Sequence, residues 1–272
     1  MKRLRGHELW LDFTSSRRQD EFWAEVGRMT RRNGLAPWRW SGRDGVGSTA
    51  HLVSDSLQQF ANLAALALRP ATEFTLLMYD PFYWGWGVPR GDGHSVMVLP
   101  GLFAGDPYLI PLRSWLARVG YKPLRSGIDV NPGWSEALIE ELCDAIEDEY
   151  ARCGAPLTLI GHSAGGLLAR WVASRNPRAV RHVITLGSPL AVAGEQLNEN
   201  IRTTAIFTRD DLIVRHPAAV AREPHARNIE VRGSHSGLAF NPQVYRHLAE
   251  LLREGSRSEA AERFATARSI AD

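Results

Sequence analysis

Pro156-Leu157-Thr158-Leu159-Ile160-Gly161-His162-Ser163-Ala164-Gly165-Gly166 is a short apolar run that ends in a Gly-x-Ser-x-Gly pattern. The run reads as a buried strand, and the stretch after it, Ala164–Arg175, reads as an amphipathic helix. A serine at such a junction sits on a sharp, strained turn. Glycines two positions to either side let strand and helix pack closely. Its hydroxyl is left exposed, with the helix N-terminus beneath it. Ser163 is therefore the candidate nucleophile, and strand, turn and helix in this order point to an α/β unit.

Working outward, the same alternation recurs. Strands are predicted at Ser95–Leu99, Tyr121–Ile128, Pro156–Gly161, His182–Leu186, Thr203–Thr208 and Asn228–Val231. Helices are predicted at about 107–119, Ser135–Arg152, Ala164–Arg175, Pro217–Ala221 and Pro242–Leu252. Ser135 is the expected N-cap of its helix, with Leu138, Ile139, Leu142 and Ile146 as the apolar stripe. Strands alternating with helices over short loops imply a predominantly parallel sheet covered by helices on both faces. In such a sheet, sites form at the carboxyl ends of strands.

A serine hydroxyl needs a general base, and the base needs an orienting carboxylate. On this kind of sheet the order along the chain is serine, then acid, then histidine, each after its own strand. The strand Thr203–Thr208 runs into Arg209-Asp210-Asp211-Leu212-Ile213-Val214, and the strand Asn228–Val231 into Arg232-Gly233-Ser234-His235-Ser236-Gly237-Leu238. Asp211 is the preferred acid and His235 the preferred base. Asp210 remains an alternative, with Asp211 then a turn residue. His216 and His247 read as helix residues, His225 as a loop residue, and His94 as the solvated start of the first core strand. His162 adjoins the nucleophile in sequence, but neighbouring residues on such a turn point different ways.

A tetrahedral intermediate needs two donors aimed at its developing charge. One is expected to be the backbone N–H of Ala164, at the helix start. The other is expected from the loop after the first core strand, Pro100-Gly101-Leu102-Phe103-Ala104-Gly105. Leu102 is the first candidate there and Phe103 the second.

Taken together, these residues resemble the α/β-hydrolase superfamily, and within it the lipase-like serine esterases. The resemblance spans about 94–252. It rests on Leu99-Pro100-Gly101-Leu102-Phe103, Gly161-His162-Ser163-Ala164-Gly165-Gly166, Leu186-Gly187-Ser188-Pro189, Asp211-Leu212-Ile213-Val214 and Gly233-Ser234-His235-Ser236-Gly237-Leu238. It implies a predominantly parallel sheet and ester hydrolysis without a cofactor, and a metal enzyme is not expected because His and Asp are not clustered at ligand spacings. Many such lipases carry His-Gly in the oxyanion loop, where this chain has Pro100-Gly101. That removes a side chain that helps to order the loop. Many relatives also insert a lid between the strand after the nucleophile helix and the acid strand. Only Ser188 to Arg202 lies there in this chain, too little for a lid domain.

The rest of the chain narrows the reading less. Its 272 residues, 44% of them apolar with a formal charge of +2, suit a folded domain and argue against a dedicated nucleic-acid binder. The basic residues are almost all arginine, with Lys2 and Lys122 the exceptions, and they are scattered. Cys143 and Cys153 lie ten residues apart on one predicted helix. That separation, roughly 15 Å, is too long for a disulfide, so both read as free thiols. No signal peptide or membrane span is seen, and the expectation is a cytoplasmic protein, with contact at a lipid surface kept open. The organisation expected is a hydrolase core at 94–252, a tail at 253–272 and a helical N-terminal extension at 1–93, a candidate cover for the site. That extension is read with helices around Arg17–Arg32 and Asp55–Arg69 and a Gly/Ser/Trp-rich loop at 37–49. It also holds the aromatic stretch Asp80-Pro81-Phe82-Tyr83-Trp84-Gly85-Trp86-Gly87. Trp84 and Trp86, together with Phe103 and Leu238, are the expected pocket residues for a small-molecule or lipid-like ester. Packing of the aromatic stretch onto the sheet is the slightly preferred alternative.

Overall fold

The structure, a computed structural model, describes residues 68–192 and 197–255, together with Ala24. All but Ala24 of the helix expected around Arg17–Arg32, the loop at 37–49 and most of the helix expected at Asp55–Arg69 lie outside these residues. Six strands form one sheet: β1 (Ser95–Leu99), β2 (Lys122–Arg125), β3 (Leu157–His162), β4 (Val180–Leu186), β5 (Arg202–Phe207) and β6 (Arg227–Glu230). Their order is β2-β1-β3-β4-β5-β6, and every neighbouring pair is parallel. The helices are α1 (68–79), α2 (Ile110–Val119), α3 (Glu136–Cys153), α4 (Ala164–Arg175) and α5 (242–255). Short 3-10 turns occupy Asp106–Leu109, Leu190–Val192 and Ser236–Phe240.

Side-chain alternation assigns each strand to two cores. Met97 and Leu99 of β1 and Leu157 and Leu159 of β3 join Leu138, Ile139, Leu142 and Ile146 of α3 and Leu168 and Val172 of α4 on one face. Val96, Val98, Ile160 and Ile184 point the other way, onto Trp115 and Leu116 of α2, Tyr245 and Leu248 of α5, and Leu77 of α1. β1, β3 and β4 are buried along their whole length, as central parallel strands covered on both faces are. Ser135 caps α3 as expected, accepting the Leu138 N–H. Cys143 and Cys153 are free thiols. No described helix is long and apolar enough to cross a membrane.

Four expectations need correction. The expected helix at Pro217–Ala221 is a pair of isolated turns, closed by Ala218 N–H to Arg215 O and Val220 N–H to Pro217 O. Five residues carry too few hydrogen bonds to nucleate a helix. Asn228 instead takes both the N–H and the carbonyl of Ala221 at 2.9 Å. The second strand is shorter than read, ending at Arg125, because Ser126 and Gly127 turn to donate to the buried Asp106 carboxylate. His94 is not solvated: its side chain is buried against Tyr121, with Nδ1 2.7 Å from Asp92 Oδ1. The division at residue 93 is not a packing boundary either, since Leu77 of α1 and Tyr83 of the aromatic turn belong to the second core.

Two histidines are built in neutral. Burial, reinforced by nearby cationic groups, holds His182 on β4 down at about 3, and burial beside His235 does the same to His162. The unfolded chain protonates both near pH 6.5, so below that pH it binds more protons than the folded one. Stability is therefore expected to fall with pH between about 6.5 and 3, by about 1.4 kcal/mol per pH unit for each group. Unfolding temperatures measured from pH 7 to pH 4 test this. His182→Gln should flatten the slope, and a wild-type profile flat from 6.5 to 4.5 contradicts it.

Candidate active site

The register of the sheet decides what meets at its carboxyl edge. Leu99 pairs with Gly161, and His162 with Leu186, so the loops after β1, β3 and β4 emerge side by side. Ser163 N–H is anchored to Leu186 O at 2.8 Å. Ser163 takes φ +53° and ψ −124°, a strained conformation for a residue with a Cβ. A serine before a helix ordinarily caps it. Here no side-chain cap bond forms, so Oγ is left free for other chemistry. The turn is closed by small residues: a Cβ on Gly165 would lie 2.3 Å from Leu99 O, a clash with the neighbouring strand's backbone.

The loops after β5 and β6 bring two further groups to Ser163. His235 Nε2 lies 3.0 Å from Ser163 Oγ, and its Nδ1 lies 2.7 Å from Asp211 Oδ2. Asp211 and His235 are both buried. The second Asp211 oxygen accepts the N–H groups of Ile213 and Val214, each at 2.7 Å, which fixes the carboxylate's plane. Asp210, the alternative acid, is exposed, and its backbone N–H donates to Thr208 Oγ1. Gly187, at φ +60°, lies against the Asp211–His235 bond: a Cβ there would stand 3.3 Å from Asp211 Oδ2 and 3.4 Å from His235 Nδ1.

His162 points away from Ser163. Its Nε2 donates to the backbone carbonyl of His235 at 2.9 Å, which puts the proton on Nε2. Burial and the neighbouring His235 keep it neutral. It braces the His235 loop without adding charge to it.

The loop after β1 packs on Ser163, since a Cβ at Gly101 would be 3.1 Å from Ser163 Cβ. Of the two candidate donors there, Phe103 N–H is already committed to Asn131 O at 2.8 Å. The N–H groups of Leu102 and Ala164 donate to no other described residue. Sequence reading passed over Asn131. It is fully buried, and its Nδ2 donates to Pro100 O at 2.7 Å while its N–H donates to Ala104 O at 2.8 Å. With the Phe103 bond, that makes three hydrogen bonds spanning the loop. Pro100 cannot order this loop with its own side chain, and Asn131 holds it from across the sheet edge. Asn131→Ala is expected to lower kcat about 10- to 100-fold with a small change in KM, because it loosens the loop that presents the Leu102 N–H. Steady-state kinetics on an aryl ester check this.

The four expected pocket residues separate. Phe103 stands on the loop after β1, 61% exposed with φ +60°. Leu238 is fully buried beneath the Asp211–His235 pair, too deep to touch a substrate. Trp84 and Trp86 are exposed, but at the other end of the molecule. Trp84 packs under Arg118 in the last turn of α2, which has run back to the amino edge of the sheet. The aromatic turn is a brace for the core: Phe82 stacks on Trp115, and Arg118 donates to Tyr83 O at 2.7 Å.

Residues 153–215, which include β3, Ser163 and Asp211, match the family described as alpha/beta hydrolase fold. That match, over 63 of the chain's 272 residues, supports a member of the α/β-hydrolase superfamily. Among solved structures, the chain is similar to a protein of the alpha/beta superfamily from Xanthomonas campestris pv. campestris. The two are 18% identical with a TM-score of 0.49, over 60% of this chain and 99% of that one. An alpha/beta hydrolase enzyme from a lagoon-sediment metagenome (Mar Chica, Morocco) is 16% identical, with a TM-score of 0.45, covering 63% and 94%. A monoacylglycerol lipase from Paleococcus ferrophilus is 14% identical, with a TM-score of 0.45, covering 61% and 95%. No curated protein matches the sequence. The α/β-hydrolase fold supports an enzyme of the hydrolase type.

Proposed function

We propose that this α/β hydrolase cleaves carboxylic esters through an acyl-enzyme on Ser163, with Asp211 and His235 completing the triad. The observation that carries the proposal is the unbroken line of contacts from Asp211 Oδ2 to His235 Nδ1 (2.7 Å) and from His235 Nε2 to Ser163 Oγ (3.0 Å). A histidine at this distance is within reach of the serine proton. As Ser163 Oγ bonds to the ester carbonyl carbon, its proton passes to His235 Nε2. The carbonyl oxygen becomes an oxyanion facing the N–H groups of Leu102 and Ala164. Asp211 keeps the imidazole in the tautomer that presents a bare Nε2 to serine, and it stabilises the cation that forms. Collapse expels the alcohol, which takes the proton from Nε2. Water then repeats the sequence on the acyl group and regenerates Ser163.

Phe103 and Val130, both exposed, flank the Asn131-braced loop and give the rim an apolar character. That supports a small-molecule or lipid-like ester with an apolar acyl part. A panel of p-nitrophenyl esters of increasing chain length, a lactone and an anilide tests the proposal. Turnover of esters with little on the anilide is the result expected. Preference for the lactone or anilide would move the triad to another acyl substrate, and no turnover at all would favour a non-catalytic binding role.

A further inference from the structure

We propose that Glu73, on α1 ahead of the hydrolase motifs, is a positioning residue for His235. The inference rests on the esterase reading above. Glu73 Oε1 accepts the backbone N–H of Ser234 at 2.7 Å, and Oε2 accepts the Ser234 hydroxyl at 2.5 Å. The Ser234 hydroxyl oxygen in turn accepts the Gly237 N–H at 3.2 Å. One carboxylate thus terminates the donors that turn the backbone around His235. The loop is cut to receive it. A Cβ on residue 237 would lie 1.3 Å from Glu73 Oε2, and one on residue 233 would lie 2.6 Å from Oε1. Gly233 and Gly237 vacate the space the carboxylate fills.

The opposite side of the loop is held by neutral donors. His162 donates to the His235 carbonyl, and the Tyr108 hydroxyl donates to the Ser236 carbonyl. Burial, reinforced by the Glu73 charge, pushes the Tyr108 hydroxyl upward, so it stays a donor. His235 spans two contacts of 2.7 and 3.0 Å at once, and hydrogen bonds weaken steeply when such geometry slips. Charge-assisted bonds are the stronger kind, which suits Glu73 to fix the loop. α1 itself does not depend on Glu73 for its place. Leu77 is fully buried, Phe74 meets Phe240 edge-on, and Asp80 pairs with Arg246 of α5 at 2.8 Å.

The test uses the full chain with Glu73→Ala, Glu73→Gln, Ser234→Ala and Asp80→Asn. Two readouts are taken: steady-state kinetics on p-nitrophenyl butyrate, and the downfield proton NMR signal of His235 Nδ1–H. Glu73→Ala is expected to lower kcat about 10- to 100-fold with KM within about threefold, since a misplacement near 1 Å costs on that order. Glu73→Gln still accepts the Ser234 N–H and should recover most of the loss. Ser234→Ala, which keeps only the backbone bond, should fall in between and serves if Glu73→Ala does not fold. Asp80→Asn loosens α1 without touching the loop and should leave kcat unchanged. The Nδ1–H signal should broaden or vanish in Glu73→Ala and persist in Glu73→Gln and Asp80→Asn. Wild-type kcat and an unchanged signal in Glu73→Ala would overturn the proposal. So would an equal loss in Asp80→Asn, which would assign the effect to docking of α1. If the wild type hydrolyses no ester, the functional reading fails, and the NMR comparison still decides the role of Glu73.

Discussion

Ser163→Ala is expected to lower kcat on an aryl ester about 10⁵- to 10⁶-fold while leaving the folded chain intact. Loss of a serine nucleophile in a triad has an effect of this order, and 10⁵ corresponds to about 7 kcal/mol of barrier. The fold should tolerate the change for a local reason. Ser163 Oγ does not cap α4, and among the described residues its hydrogen bond runs to His235. The tight turn is held by backbone groups, Ser163 N–H to Leu186 O and Gly166 N–H to Ser163 O, and alanine keeps both. Residual turnover would come from the Leu102 and Ala164 donors acting on bound ester. An unfolding temperature within a few degrees of wild type, together with the loss of kcat, is the combined result to look for. Retained turnover would move the nucleophile elsewhere.

The second large effect separates two adjacent aspartates. Asp211→Asn should reduce kcat about 10³- to 10⁴-fold, whereas Asp210→Asn should stay within about twofold of wild type. The asparagine can keep its oxygen on the Ile213 and Val214 N–H groups, so the loop holds. Its amide NH₂ then faces His235 Nδ1 and donates where the carboxylate accepted. The imidazole responds by carrying its proton on Nε2, pointed at Ser163, and can no longer take the serine proton. Asp210 bears on none of this, because its side chain is exposed beyond the end of β5. Parallel kinetics on the two variants, with circular dichroism to check folding, decide the matter. Equal losses, or a larger loss at Asp210, would contradict the assignment.

These groups differ in how visible they are in sequence. The β3–Ser163–α4 unit is legible because its signals are local: an apolar run, small residues at fixed offsets, and a helix whose bounds, Ala164–Arg175, are those read from the sequence. Asp211 and His235 are legible because parallel topology forces loops after successive strands to one edge. The braces are not legible, because they act at long range. Asn131 reaches Pro100 across 31 residues and Glu73 reaches Ser234 across 161, and neither lies in a motif. The cluster around Trp84 stays ambiguous in sequence for the opposite reason. Aromatic density marks apolar contact, but a single sequence does not say which end of the sheet receives it. Leu238 follows His235 in a motif-like stretch, yet the 3-10 turn at Ser236–Phe240 carries it into the core.

The central claim is that Ser163 is a nucleophile activated by His235 and Asp211. Intact-protein mass spectrometry after incubation with an aryl alkylphosphonate tests it most directly, because the reagent needs the activated serine and not the right acyl chain. A single adduct on the peptide carrying Ser163, absent in Ser163→Ala and formed far more slowly in Asp211→Asn, is the result predicted. No adduct on the folded wild-type chain, or an adduct on another residue that persists in Ser163→Ala, would contradict it.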